Sequence, residues 1–419
     1  MSAAIDIFSG HGNARETGSV QTPNEIPNTG AHTALNRFLE RVRDVSVGSA
    51  ADEKDERGDV RMPLGTLLIG LGRAGAGLHL PVLRRARTAH AELFADRPVL
   101  GVDPGLGPVA RADGLEVVGS LDDASRRLDP AATVVHVCTP PAVRAALLEE
   151  AAHLGYRRFV VEKPLAADRT ALGRVLDVVR RRDLRVHVVS PWLHSALTAR
   201  LAALLDGGLG EVRSVTVVQD KARFRRSLTN GSHTSALEVE IPHALGVLLR
   251  LLGDAEVRGA SCTDLRWGER VVPRMGGARL TLRHRSGVRS RIRCDLTSPV
   301  RRRRITVETT TGARLVGHYP VAQDDDVAQL DVWRDGRGKR ELLHDDALSR
   351  CLVHAYRGFA EGDGPGTTAG AADGLRLHAR AVELLDDARR LTSADAAPHP
   401  LPHDTCPVPR PQEAARHAG

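Results

Sequence analysis

The chain has 419 residues, 42% of them hydrophobic, which is enough for two domains of ordinary size, each with its own core. No run of about 18 apolar residues is present to span a bilayer, and the first thirty residues lack the basic start, apolar stretch and cleavage site of a secretory signal, so a cytoplasmic protein with no membrane partner is expected. The formal charge of +7 is carried mostly by scattered arginine, with lysine only at 54, 163, 221 and 339 and acids between most of the cations, so no nucleic-acid partner is expected either.

Residues 1–60 mix Gly, Ser, Asn, Thr and charge around one short amphipathic stretch, ALNRFLERVRDV, and are expected to be a mostly disordered extension. From residue 64 the run LGTLLIG, then glycines, then an apolar-periodic stretch predict strand, tight turn and helix. The strand PVLGVD ends at Asp103. A helix near 120–128, the strand TVVHVCTP, a helix over 141–154, the strand RFVVEKP, a helix over 168–181 and the strand RVHVVS follow. Short apolar strands alternating with helices imply a parallel sheet covered on both faces, a dinucleotide-binding domain over 61–190.

After residue 210 long alternating segments such as EVRSVTVVQDKARF, GARLTLRHRSG and ITVETTTGARLVGHY predict an antiparallel sheet with one covered face. Helices are expected in IPHALGVLLRLLG, over 346–360 and over 371–391. The result is an α/β protein whose second domain, 191–393, is α+β, followed by a flexible tail over 394–419 rich in Pro, His and Ala. The run Arg301–Arg304 sits in a strand-like segment, where alternation splits it between two faces. The five cysteines are far apart and form neither a CxxC pair nor a zinc-like cluster with histidine, so they read as reduced thiols and no metal is expected.

Gly70, Gly72 and Gly75 stand at GxGxxG spacing between a strand and a helix. Such a loop allows a tight turn, close approach of the backbone to a pyrophosphate and close helix packing, with free N–H groups facing the anion. Asp103, at the end of the next strand, is placed to accept from the adenosine ribose hydroxyls. No arginine adjoins it, so NAD is expected ahead of NADP.

From LLIGLGRAG through VCTPP, VVEKPLA and GLGEVRSV to ITVETTTGARL, over about residues 64–390, the sequence resembles the glucose-fructose oxidoreductase, inositol dehydrogenase and rhizopine-catabolism family. The resemblance implies a Rossmann domain followed by an open-faced sheet that supports the substrate and often a subunit interface. It implies a cofactor site of Gly70, Gly72, Arg73, Ala74, Gly75, Asp103, Thr139, Pro140, Glu162 and Lys163. It also implies a homo-oligomer formed through the open sheet.

Lys163 of Glu162-Lys163-Pro164 matches the lysine that in such enzymes lies beside the nicotinamide and contacts the reacting hydroxyl, and an amine can share in moving that proton where a guanidinium cannot. His243 matches the catalytic histidine. The acids usual four before and three after it are replaced by Val239 and Gly246, so Glu240, one helical turn from His243, is expected to orient it or bind substrate. The histidine often found after the TPP turn is replaced by Arg144. Trp192, His194, Lys221, Arg223 and Glu240 are expected to contact substrate, with Lys221, Arg223 and Arg225 sharing one strand face.

These features predict an NAD(P)-dependent oxidoreductase moving a hydride to or from a secondary alcohol or ketone of a sugar, aminosugar or cyclitol, in a specialised branch such as natural-product biosynthesis. The alternatives are an NAD-dependent glycosidase acting by transient oxidation and a non-catalytic dinucleotide sensor.

Overall fold

The computed structural model describes residues 62–105, 114–229, 233–322, 325–361 and 365–394. The expected disordered extension over 1–60 and nearly all of the expected tail lie outside these residues. Among them no helix is long and apolar enough to cross a membrane.

The first sheet is built from β1 (Gly65–Ile69), β2 (Val99–Val102), β3 (Leu115–Val117), β4 (Thr133–Val137), β5 (Arg158–Val161) and β6 (Arg185–Val188), in the order β3-β2-β1-β4-β5-β6. All five neighbouring pairs run parallel. β1, β2 and β4 are buried along their whole length, as continuous apolar runs covered on both faces must be. The order reverses between β1 and β4, so the crevice beyond their carboxyl ends is the place for a ligand.

The second sheet comprises β7 (Val212–Asp220), β8 (Ala255–Trp267), β9 (Arg270–His284), β10 (Arg289–Asp295), β11 (Arg302–Thr309), β12 (Arg314–His318), β13 (Val327–Arg334) and β14 (Arg337–His344), ordered β14-β13-β12-β11-β7-β10-β9-β8. Its pairs are antiparallel except β7 with β10. On one face Val215, Val217, Ile292, Ile305, Val307 and Leu315 are buried, while Arg291 and Arg314 stand exposed on alternate positions of the same strands.

Two elements escape the sequence pattern. β3 has only three half-buried residues, too few for a period. The helix Ala196–Asp206 is capped by Ser195, whose Oγ accepts from the amides of Leu197 and Thr198. The helix Ala347–Ala360, which follows the second sheet in sequence, packs on the first: its Cys351, Leu352, Val353, Ala355, Tyr356 and Phe359 share a core with Leu68, Leu83, Val134 and Val160. The last helix, Pro365–Ala394, returns Ala379 and Val382 to the other face of that sheet.

Candidate active site

At the end of β1 the chain turns at Gly70, whose φ is +89°, and a Cβ at Gly75 would collide with the Gly70 carbonyl oxygen. A Cβ at Gly72 would meet nothing within 4 Å, so the backbone there is open to a pyrophosphate. The chain passes through a π-helical turn, Gly75–His79, into the helix Leu80–Ala89. Arg73 is exposed and Ala74 half-buried at this turn. Asp103 accepts from the amide of Leu71 at 2.7 Å and from that of Gly105 at 2.9 Å, which fixes its carboxylate beside the glycine loop. Thr139 and Pro140 follow β4, and Thr139 Oγ1 is buried with no partner among the described residues. An open glycine, a fixed acid at the next strand end and an orphaned hydroxyl are features a dinucleotide fits.

Glu162 and Lys163 follow β5. A chain of hydrogen bonds runs into Glu162 from the interior. Its Oε1 lies 3.0 Å from His79 Nε2, His79 Nδ1 lies 2.9 Å from His136 Nδ1, His136 Nε2 lies 3.0 Å from Tyr356 Oη, and Tyr356 Oη lies 2.7 Å from Thr66 Oγ1. Burial opposes ionisation of Glu162, but the hydrogen bond and charge of His79 and the charges of Lys163 and Arg144 hold its carboxyl below its usual range. The Lys163 amide donates to Glu162 Oε2 at 3.1 Å. Arg144 is buried and donates to the carbonyls of Thr139 and Pro164, joining the loops after β4 and β5. Burial lowers its guanidinium to about 10.

His243 lies in the first turn of the helix Ile241–Leu252, behind Pro242, a residue suited to a position where the N–H would be unpaired anyway. His243 and Lys163 line one crevice together with Pro164, Ser190, His378 and Leu385. The imidazole is held well below its ordinary value by burial and by the charges of Lys163, Arg303 and Lys221, so it stands neutral at physiological pH. Nδ1 is buried with no partner among the described residues.

The Glu240 carboxylate pairs with Lys221, and its backbone carbonyl accepts from the His243 amide at 3.2 Å. Among the described residues the carboxylate makes no hydrogen bond to the imidazole, which leaves contact with substrate as the other role expected of it. Burial opposes its ionisation, and the charges of Lys221, Lys163 and Arg303 overcome that. Lys221 is held below its ordinary value by burial, against the pull of Glu240.

Trp192 is buried and stacks on Tyr319 at 4.0 Å and on His243 at 5.8 Å between ring centroids, so it backs the histidine instead of offering an open face to substrate. His194 lies among His187, His354 and Cys351, and not with the substrate groups. The shared face of Lys221, Arg223 and Arg225 ends early, because β7 stops at Asp220 and Arg225 sits exposed on the helix Phe224–Thr229. Arg223 is buried, donates to Ser227 Oγ at 3.3 Å and leaves Nε without a partner among the described residues.

Two groups here are invisible to motif reading. Arg303 bears on both Glu240 and His243, and lies in register with Gln219, whose buried amide has neither atom paired among the described residues. The only signal for them was strand alternation, which gives a face and not a destination.

Residues 64–190 match the model of the oxidoreductase family with an NAD-binding Rossmann fold. The fold is similar to that of KijD10, a 3-ketoreductase from Actinomadura kijaniata in complex with NADP and TDP-benzene, at TM-score 0.62 and 19% identity, covering 79% of this chain and 98% of that one. It is also similar to the UDP-N-acetylglucosamine 3-dehydrogenase GnnA from Acidithiobacillus ferrooxidans, at TM-score 0.60 and 17% identity, covering 80% of this chain and 99% of that one. No curated protein matches the sequence.

Proposed function

We infer, from the match of residues 64–190 to the model of the oxidoreductase family with an NAD-binding Rossmann fold, that this protein is an oxidoreductase that interconverts a secondary alcohol and a ketone on a sugar, aminosugar or cyclitol. The observation that carries the reading is the meeting in one crevice of Lys163 and a neutral, half-buried His243 whose Nδ1 has no partner among the described residues. Gly70, Gly72, Asp103, Thr139 and Glu162 would hold a nicotinamide cofactor, which would supply hydride transfer to or from the substrate carbon. The His243 imidazole takes the hydroxyl proton in oxidation and returns it in reduction, a role open only to the neutral ring in the first direction. Lys163 donates to the substrate oxygen and fixes its distance from His243.

The cations Lys163, Lys221 and Arg303 bear on His243 and Glu240, against the two acids Glu240 and Glu162, which favours a substrate carrying an acidic group such as a phosphate, a uronate or a nucleoside diphosphate. The structural neighbours, one of which carries TDP-benzene and one named for a UDP-sugar, agree with the last of these. NAD is preferred over NADP on the strength of Asp103, although a neighbour carries NADP.

The test is a panel of cyclitols, sugar phosphates and nucleotide sugars assayed at the nicotinamide absorbance band, beside NADH fluorescence titration. Lys163→Met and His243→Asn should each lose about 10²–10⁴-fold in kcat while still binding NADH. Absence of dinucleotide binding, or unchanged turnover in both variants, would overturn the reading.

A further inference from the structure

The side chains left over from the active site gather on its far side. His187 lies on β6, His194 ends the turn Pro191–His194, and Cys351 and His354 sit one helical turn apart on the helix Ala347–Ala360. One ligating atom from each of His187, His194 and Cys351 lies within 4.8 Å of the others. His187 Nε2 and Cys351 Sγ are 3.4 Å apart. The exposed His354 closes the group, its ring centroid 4.9 Å from that of His194 and 5.8 Å from that of His187.

We propose that His187, His194 and Cys351 bind a zinc ion, with His354 or water as the fourth ligand. The donor set decides the metal class. Thiolate with imidazole suits Zn²⁺, whereas Mg²⁺ and Ca²⁺ need oxygen donors. The span is right: with bonds of about 2.0–2.1 Å to nitrogen and about 2.3 Å to sulfur, tetrahedral ligand atoms stand roughly 3.3–3.6 Å apart, so rotamer adjustments of about 1 Å close the site. The other buried imidazole pair, His79 with His136, is completed at both ends by Glu162 and Tyr356. Around His187 and His194 the neighbours are instead further metal ligands.

Coordination takes the imidazoles neutral and Cys351 as the thiolate, so binding releases the thiol proton. Arg350, near His194, is the cation that opposes the site.

Such an ion would tie β6, the turn Pro191–His194 and the helix Ala347–Ala360 together. The tied turn carries Trp192, which stacks on His243. The site is thus structural, a brace for the floor of the active site that takes no part in hydride transfer.

Full-length protein without a histidine tag, treated with chelator and titrated with Co²⁺, should bind one equivalent and show tetrahedral d–d bands with a thiolate-to-cobalt charge-transfer band that Zn²⁺ abolishes. Cys351→Ser should lose the charge-transfer band. His194→Gln, at a half-buried position that does not threaten the core, should weaken Co²⁺ by more than about tenfold, the loss that already follows removal of an outer-sphere partner. NADH binding in the same samples reports folding. Absence of stoichiometric Co²⁺ binding by folded wild-type protein, or an unchanged spectrum and affinity in His194→Gln, would overturn the proposal, as would an unchanged charge-transfer band in Cys351→Ser.

Discussion

Lys221, just past the end of β7, forms an ion pair with Glu240, the residue that precedes the helix Ile241–Leu252, and so fastens the second sheet to the helix that carries His243. Both side chains are largely withdrawn from solvent, at 19% and 7% exposure. Breaking one half of such a pair leaves an uncompensated charge. Lys221→Met should cost about 3 kcal/mol, and the double variant Lys221→Met/Glu240→Leu should recover much of it. Urea denaturation of the two singles and the double measures this, and strict additivity would show that the pair is not coupled.

Arg144 offers a second point of attack. Its guanidinium bridges the carbonyls of Thr139 and Pro164, and only a planar fork reaches both. Arg144→Met should lower stability by about 2 kcal/mol, the scale of a hydrogen bond to a charged group, and weaken NADH binding as the two loops part. Arg144→Lys should restore little of either. Calorimetric titration with NADH checks both variants.

On the proposed reading, in which Asp103 lies beside the adenosine ribose, its carboxylate would face a 2′-phosphate. A repulsion of about 1 kcal/mol, the value for unit charges 4 Å apart in water, corresponds to roughly fivefold in affinity. Asp103→Ser should shift the NADPH to NADH preference toward NADPH by at least that factor. Equal ratios of dissociation constants in the two proteins would remove Asp103 from the discrimination.

Acid should unfold this protein earlier than its carboxylates alone require. His378 is held at about 4 by burial, and burial, the largest cause, also lowers His136 and His243 well below their ordinary value. Their folded values lie below an unfolded imidazole near 6.5, so the unfolded state binds more protons and stability falls as pH drops below about 6.5. Each such group contributes up to about 1.4 kcal/mol per pH unit between about 6.5 and its folded value, with nothing gained above 6.5. Thermal melts at pH 7.5, 6.5 and 5.5 should show little change over the first step and a steep fall over the second.

The parallel sheet was legible because its strands are continuous apolar runs punctuated by glycine and proline, and the glycine loop because its residue types have no substitute there. The association of Lys163 with His243 was legible only through resemblance, since 80 positions separate them and no periodicity links one domain to the other. The partner of Glu240 was hidden for a plainer reason: helical spacing places Glu240 one turn from His243, but spacing cannot show that Lys221, just past the end of β7, pairs with its carboxylate. The surroundings of Trp192 and His194 were not legible, because Tyr319 and His354, which pack on them, come from distant parts of the chain. His187, His194 and Cys351 come from three separate segments, so no ligand spacing announces them.

Thr66 and His136, on β1 and β4, are joined through Tyr356, from a helix almost three hundred positions after Thr66. During synthesis the first sheet must therefore emerge with one side covered only in part, by the helix Leu80–Ala89, until residues 347–360 leave the ribosome. Until they dock, Tyr356 cannot close the line of protons that steadies Glu162. Excising residues 61–190 as a free-standing nucleotide binder would thus expose Leu68, Val134 and Val160 and strand two imidazoles, making the amino-terminal half a dependent part of the whole polypeptide.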